Sequence, residues 1–176
     1  MTDGFFSTSL IVRKPPTSLV AQCGACGLYK GGCQSPKMPV YGLGKKGIMV
    51  IAEAPGETED QLNRPLVGKA GQFLRARLAR FGVDLDRDCW ATNALICRTD
   101  ESNRTPTDNE IEYCRPNVLK AIREWDPHVI ILLGGIPVKS LIGHLRSDVG
   151  AIGRWVGWRI PCHKPNAWIC PTYHPS

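Results

Sequence analysis

The sequence predicts an α/β fold. The expected form is a three-layer sandwich whose mostly parallel central sheet of about four strands is flanked by helices, with a cysteine-rich loop ahead of it. Three observations carry this. Short continuous apolar runs such as IMVIA (48–52) and VIILLG (129–134) end in turn signals, as strands buried on both faces do. Segments with helical spacing separate these runs, and strands alternating with helices close into parallel sheets. The chain of 176 residues, 43% hydrophobic and 22% charged, has globular composition and enough length for one sizeable core. No apolar run approaches the roughly 18–20 residues of a membrane span. The N-terminus (MTDGFFSTSLIVRKPPTS) has an acidic residue early and no basic stretch before an apolar core, so it does not read as a secretory signal and a cytoplasmic protein is expected. The net charge of +6 leans weakly towards a polyanionic partner.

Residues 1–22, with Lys14, Pro15 and Pro16, read as an arm, and residues 23–176 as one domain. Glycine and proline break residues 23–47 (CGACGLYKGGCQSPKMPVYGLGKKG) too often for helix or strand, so that loop needs an external staple. Residues 48–52 form the first strand. GKAGQFLRARLARF (68–81) places Phe73, Leu74, Leu78 and Phe81 at helical spacing, leaves Arg75, Arg77 and Arg80 on the surface, and stops at Gly82. CWATNAL (89–95) is the second strand. Asp108 is expected to cap a helix running to about Glu124, with Ile111, Val118, Leu119 and Ile122 on one face. VIILLG is the third strand, followed by a short helix over Pro137–Gly143. Arg154–Pro161 and Ala167–Pro171 supply the last strands around the turn HKPN. In such sheets ligands sit beyond the carboxyl ends of the strands. Glu53, Asn93 and His174 stand at three strand ends and are expected to converge on one crevice.

Eight cysteines without a secretory signal point to metal binding or catalysis rather than disulfides. Cys23 and Cys26 form C-x2-C on a glycine-rich loop, which can grip one metal with two thiolates. Cys97 ends the second strand and Cys114 lies in the following helix, and the two can close a four-thiolate site around the first pair. Cys33 is an alternative fourth ligand. Cys89, Cys162 and Cys170 lie in apolar, strand-like contexts and read as small core residues. Four thiolates suit zinc or a [4Fe–4S] cluster, and spacing does not separate the two.

AEAPGETED (52–60) turns sharply after a strand and leaves Glu53 and nearby main-chain N–H groups facing the crevice, while the run Glu57, Glu59, Asp60 reads as a solvated face. RPLVGKAGQ (64–72) opens a helix whose N-terminus favours anions such as a DNA phosphate. With ATNALICR, NRTPTDNEI, HVIILLG and PTYHPS, these segments stand in the order found in the iron–sulfur uracil-DNA glycosylases of the thermostable family 4 type, and the upstream C-x2-C agrees. The chain resembles that family from about Cys23 to Ser176.

The resemblance implies a [4Fe–4S] cluster on Cys23, Cys26, Cys97 and Cys114, with a structural role. Asn93 matches the asparagine that reads the polar edge of uracil, where an amide both donates and accepts. His174 matches the histidine near uracil O2, where a donor stabilises the leaving anion. Glu53 and Glu59 match acidic residues at the pocket that position water or offset positive charge on the sugar, Glu53 being preferred for its place at the strand end. The Ala54 N–H is expected to contact the base. Leu66 stands where the family usually has a Phe that stacks on uracil, which predicts weaker uracil binding or altered selectivity. The family also continues past HPS with a loop and helix, so a chain ending at Ser176 is expected to be truncated or a fragment. The implied activity is a base-excision DNA repair glycosylase, a monomer acting on uracil-containing DNA away from membranes. It flips uracil out and hydrolyses its N-glycosidic bond, leaving an abasic site. The alternatives are a non-catalytic iron–sulfur DNA-binding relative attached to replication or repair enzymes, and a zinc-stabilised or redox-sensing protein.

Overall fold

The structure, a computed structural model, describes residues 21–146 and 148–176. The arm expected over residues 1–22 therefore lies outside the described residues except for Ala21 and Gln22. Gln22 N–H donates to the Tyr113 carbonyl at 3.1 Å.

After a one-turn helix α1 (Cys23–Cys26) and a 3-10 turn (Leu28–Lys30), the order is β1 (Ile48–Ala52), α2 (Glu57–Leu62), α3 (Lys69–Ala79), α4 (Leu85–Asp88) and β2 (Cys89–Asn93). Then come α5 (Asp108–Trp125), β3 (Val129–Leu133), α6 (Gly135–Leu145), a 3-10 turn (Ile152–Arg154), β4 (Ile160–His163) and β5 (Asn166–Thr172). The sheet has five strands in the order β2-β1-β3-β5-β4, from the five segments that read as strands in the sequence. Only β4 runs antiparallel, at the edge. The chain leaves β1 towards one side and returns to β3 on the other, so the switch point of the topology lies between β1 and β3.

Side chains alternate along these strands and build two cores. Met49, Ile51, Ile130, Leu132 and Ile169 pack with Ile111, Val118 and Ile122 of α5 and with Val138, Leu141 and Ile142 of α6. Val50, Ala52, Ala91 and Leu133 pack on the other face with Leu66, Leu85 and, at their margin, Leu74 and Leu78 of α3. Helices thus cover both faces, and the three layers expected from the sequence are present. No helix among the described residues is long and apolar enough to cross a membrane.

Local departures have local causes. Leu74 and Leu78 are four apart and form one stripe towards the sheet, whereas Phe73 is 48% exposed and Phe81 82%, because both fall off that stripe and Phe81 lies past the helix end. The expected strand at 154–161 starts only at Ile160. Gly157 has φ +86°, which interrupts extended backbone there. The N-cap of α5 is Thr107 rather than Asp108: Thr107 Oγ1 accepts from Glu110 N–H, and the Glu110 carboxylate accepts from Thr107 N–H, a reciprocal capping box. Arg104 adds two contacts to Glu110 at 2.7 and 2.9 Å and holds that carboxyl down at about 2. This pair fixes the loop between Cys97 and Cys114. Helices α1, α2 and α4 are too short to leave a periodic signal in sequence.

Candidate functional site

Pairing of β1 with β2 continues past the strand ends, through Ala94 N–H to Ala52 O (2.8 Å) and Leu95 N–H to Glu53 O (3.0 Å). This sets Asn93 beside Ala52 and brings Glu53 out at the carboxyl edge. Two strands away, Leu133 pairs with Thr172, and Gly134 N–H donates to Thr172 O at 2.9 Å. The chain then runs to His174, which packs over Gly134. Gly134 has φ +91°, and a side chain there would begin 3.2 Å from the His174 Cβ, so glycine is needed at this turn. The edge therefore presents Asn93, Glu53 and His174 in strand order, with a side-chain-free turn before His174.

Glu53 is half-buried, and that burial pushes its carboxyl above the ordinary value while the charge of nearby His174 pulls it back. His174 Nδ1 lies 2.6 Å from Ser176 Oγ. Asn93 is 3% exposed, and its Nδ2 donates weakly to Met38 Sδ at 3.8 Å, so the amide is held in a dry setting. The Ala54 N–H has no acceptor among the described residues and remains available.

Glu59 is committed elsewhere. Its Oε1 accepts from Val67 N–H at 3.0 Å and Gly68 N–H at 2.7 Å, so the anion at the start of α3 is this carboxylate rather than an incoming phosphate. Asp60 is buried rather than solvated. It accepts from Cys33 Sγ (3.2 Å), Gln34 N–H (2.9 Å) and Ser35 N–H (2.8 Å), and those bonds hold its carboxyl below the usual range against the opposing effect of burial. Only Glu57 of that run fits the expected exposed face. Leu66 is 4% exposed and packs with Val50, Ala52 and Leu133 at the carboxyl ends of β1 and β3, under the switch point. Its carbonyl lies directly against Gly71, where any Cβ would collide with it. Glu59 and Gly71 together fix the loop that carries Leu66. A Glu59→Ala variant is expected to lose about 1–3 kcal/mol of unfolding free energy in urea, the usual worth of hydrogen bonds to a charged acceptor. A loss below about 0.5 kcal/mol, the range of neutral surface substitutions, contradicts the capping role.

Cys23, Cys26, Cys97 and Cys114 line one cavity between α1, the loop after β2 and α5; β2 ends at Asn93, so Cys97 lies in that loop rather than at the strand end. Main-chain and side-chain N–H groups already point at three of the sulfurs: Leu28 N–H at Cys26 (3.5 Å), Lys37 N–H at Cys97 (3.2 Å), and both Ile96 N–H (3.5 Å) and Asn117 Nδ2 (3.4 Å) at Cys114. Burial, reinforced by the neighbouring thiols, pushes Cys26, Cys97 and Cys114 above the ordinary thiol value, so a group that takes their protons off must repay that cost. Among the described residues no three His, Cys, Asp or Glu side chains close tightly enough to chelate one ion. Four cysteines around one cavity are a thiolate set of the kind that holds zinc or an iron–sulfur cluster.

Cys33 does not line this cavity. Burial and its bond to Asp60 push its thiol up to about 11, where it stays protonated and donates. Cys89 is fully buried as expected, whereas Cys162 and Cys170 are only partly buried. Sequence reasoning missed Met38 and Gly134. Met38 comes from an irregular loop 55 residues from Asn93, with no local signal, whereas the glycine pair after VIILL did mark a tight strand-to-helix turn.

A family model described as "Uracil DNA glycosylase superfamily" matches residues 39–176. A type-4 uracil-DNA glycosylase of Pyrobaculum aerophilum is 36% identical over 167 residues, covering 90% of this chain and 80% of the relative. One from Saccharolobus solfataricus is 36% identical over 162 residues, covering 89% and 72%. One from Archaeoglobus fulgidus is 30% identical over 159 residues, covering 89% and 78%.

Proposed function

Because the chain belongs to the uracil DNA glycosylase superfamily, we propose that it is an enzyme of DNA repair, a uracil-DNA glycosylase that accepts a flipped-out uracil and hydrolyses its N-glycosidic bond, leaving an abasic site. The observation that carries this reading is the meeting of Glu53, Asn93 and His174 at one edge of the sheet, beside the switch point.

In this reading the Asn93 amide donates to uracil O4 and accepts from N3–H, an edge that thymine shares but cytosine does not. The free Ala54 N–H supplies a further donor to the base. As the C1′–N1 bond breaks, its electron pair goes to the uracil ring and charge grows on O2, where His174 donates. Glu53, ionised, orients the water whose oxygen bonds to C1′ and accepts its proton, and its charge offsets the positive sugar. Glu59 is a positioning residue, acting through the loop that holds Leu66.

Cys23, Cys26, Cys97 and Cys114 hold a [4Fe–4S] cluster in this reading. When bound it supplies rigidity and no chemistry to the base. It pins the 23–47 segment and the 98–113 loop to the sheet.

The test is a labelled oligonucleotide carrying one uracil, incubated with anaerobically purified, iron-loaded protein and then treated with alkali. Cleavage at the uracil is expected, and an intact strand with folded, iron-loaded protein overturns the reading. The acid limb of kcat/KM is expected above the ordinary carboxylate range, because burial raises Glu53 and activity needs it ionised: activity rises with pH through that pKa and is lost below it. A Glu53→Gln variant loses this limb. Leu66→Phe is expected to raise kcat/KM on uracil by about 5- to 10-fold, the low end of the ~1–3 kcal/mol that base–aromatic stacking is worth, because leucine already packs there. No change, or a fall from overpacking against Val50 and Leu133, rejects that role for position 66.

A further inference from the structure

Beyond the crevice, the rim of the sheet carries a second recess that the excision chemistry does not use. It encloses about 400 Å³ between the segment after α6 and the start of β4, and Arg146, Arg154, Arg159, Trp155, Trp158 and Ile160 line it. Its position follows from the register. β4 runs antiparallel to β5 with Ile160 opposite Ile169, so the residues just before β4 lie at the carboxyl edge, the same edge as Glu53 and His174. Gly157 N–H donates to Pro171 O at 3.3 Å, and Gly153 lies near the exposed Tyr173 hydroxyl. The segment that carries the recess therefore packs beside the strand end 171–174, which leads to His174.

The chemistry of the recess is cationic and flat. Among the described residues the carboxylate paired with these guanidiniums is that of Asp148, on Arg154 at 3.0 Å. Arg146 lies over the Trp155 ring at 5.7 Å, and that ring is buried with its N–H spent on Val149 O at 2.6 Å, so it serves as a fixed wall. Trp158, by contrast, is 61% exposed. An exposed indole beside surplus guanidinium charge suits a ligand that is both planar and anionic. Next to a crevice that takes one base of a strand, that ligand is a neighbouring nucleotide.

Resting on the glycosylase reading for the strand it holds, we propose that this recess is a flanking-nucleotide subsite: Trp158 stacks on a base adjacent to the excised one, and Arg146 and Arg159 take its phosphates.

The experiment uses the iron-loaded full chain with Trp158→Ala, Trp158→Phe and Arg159→Ala. Two probes are used: a uracil-free single strand in anisotropy titrations, and uracil oligonucleotides whose flanking nucleotides carry or lack bases. Trp158→Ala is expected to weaken binding and raise KM about 5- to 50-fold while kcat holds, with Trp158→Phe restoring most of it. That effect should vanish on the substrate with base-free flanks. Arg159→Ala should weaken binding on either substrate and lower the salt slope by about 1. Wild-type excision with less than twofold change in all variants, or a Trp158→Ala loss that persists on base-free flanks, overturns the subsite and leaves the glycosylase reading standing. Variant-sensitive binding of the uracil-free strand without any uracil release supports the subsite and overturns the glycosylase reading instead.

Discussion

A Cys97→Ala protein is expected to lose its fold before it loses any single catalytic step. The segment 23–47 buries only Leu28 and Met38 among its large apolar side chains, too little to order some 25 residues against the entropy of fixing them. Hydrogen bonds tie it down at three places: Asp60 accepts from Cys33, Gln34 and Ser35, main-chain N–H groups of Met38, Tyr41 and Leu43 donate to Ile96, Ala91 and Asp86, and at the four-cysteine cavity Lys37 N–H reaches Cys97. If a cluster sits there, its binding free energy is folding free energy, and removing one ligand costs several kcal/mol, comparable with the ~5–15 kcal/mol that holds a whole domain together. The expected outcome is insoluble or molten protein with little iron, measured by circular dichroism and iron content. Cys33→Ala is the control. Cys33 is a protonated donor to Asp60 outside the cavity, so its loss should leave iron content unchanged and cost about 1 kcal/mol, one ordinary hydrogen bond. A Cys97→Ala protein that stays folded, soluble and fully active contradicts the structural role. Equal iron loss in both variants contradicts the assignment of the four ligands.

The sequence was most legible where local patterns and long-range packing agree. β1, β2 and β3 are continuous apolar runs because helices cover both of their faces, and the burial of Met49, Val50 and Ile51 shows that need directly. The start of α5 was legible to within one residue because a capping box is written in four consecutive positions. The polar strand ends were legible for a topological reason, since a parallel sheet sends all its carboxyl ends to one edge. What stayed hidden depends on contacts between distant segments. Glu59 looks like one more acid on a solvated turn until the loop eight residues on returns its amides to the carboxylate. Asp60 binds a loop 25 to 27 residues upstream, and nothing near it in sequence marks it for burial. Phe73 and Phe81 misled because helical spacing alone does not say which of two overlapping stripes faces the sheet.

The second large effect is expected at Asn93. Replacing it by Ala removes the amide that reads the base in the proposed pocket, and kcat/KM on uracil should fall about 100- to 1,000-fold, the usual effect of deleting one preorganised polar contact at a reacting group. The stability cost should be small, because the amide's protein contact is the weak one to Met38 Sδ, so a normal melting curve with collapsed activity separates recognition from structure. Asn93→Asp sharpens the argument. It keeps the volume but turns the donor into an acceptor. The carboxylate repels uracil O4 and accepts from the N4 amino group of cytosine, as Asp and Glu do when they read that base. Uracil release should therefore fall in both variants, while the ratio of cytosine to uracil release rises in Asn93→Asp alone. A variant at this position that keeps more than about a fifth of wild-type kcat/KM, a loss of no more than ~1 kcal/mol, removes Asn93 from the pocket. A fall without any change in the cytosine-to-uracil ratio assigns it to holding the strand end rather than to reading the base.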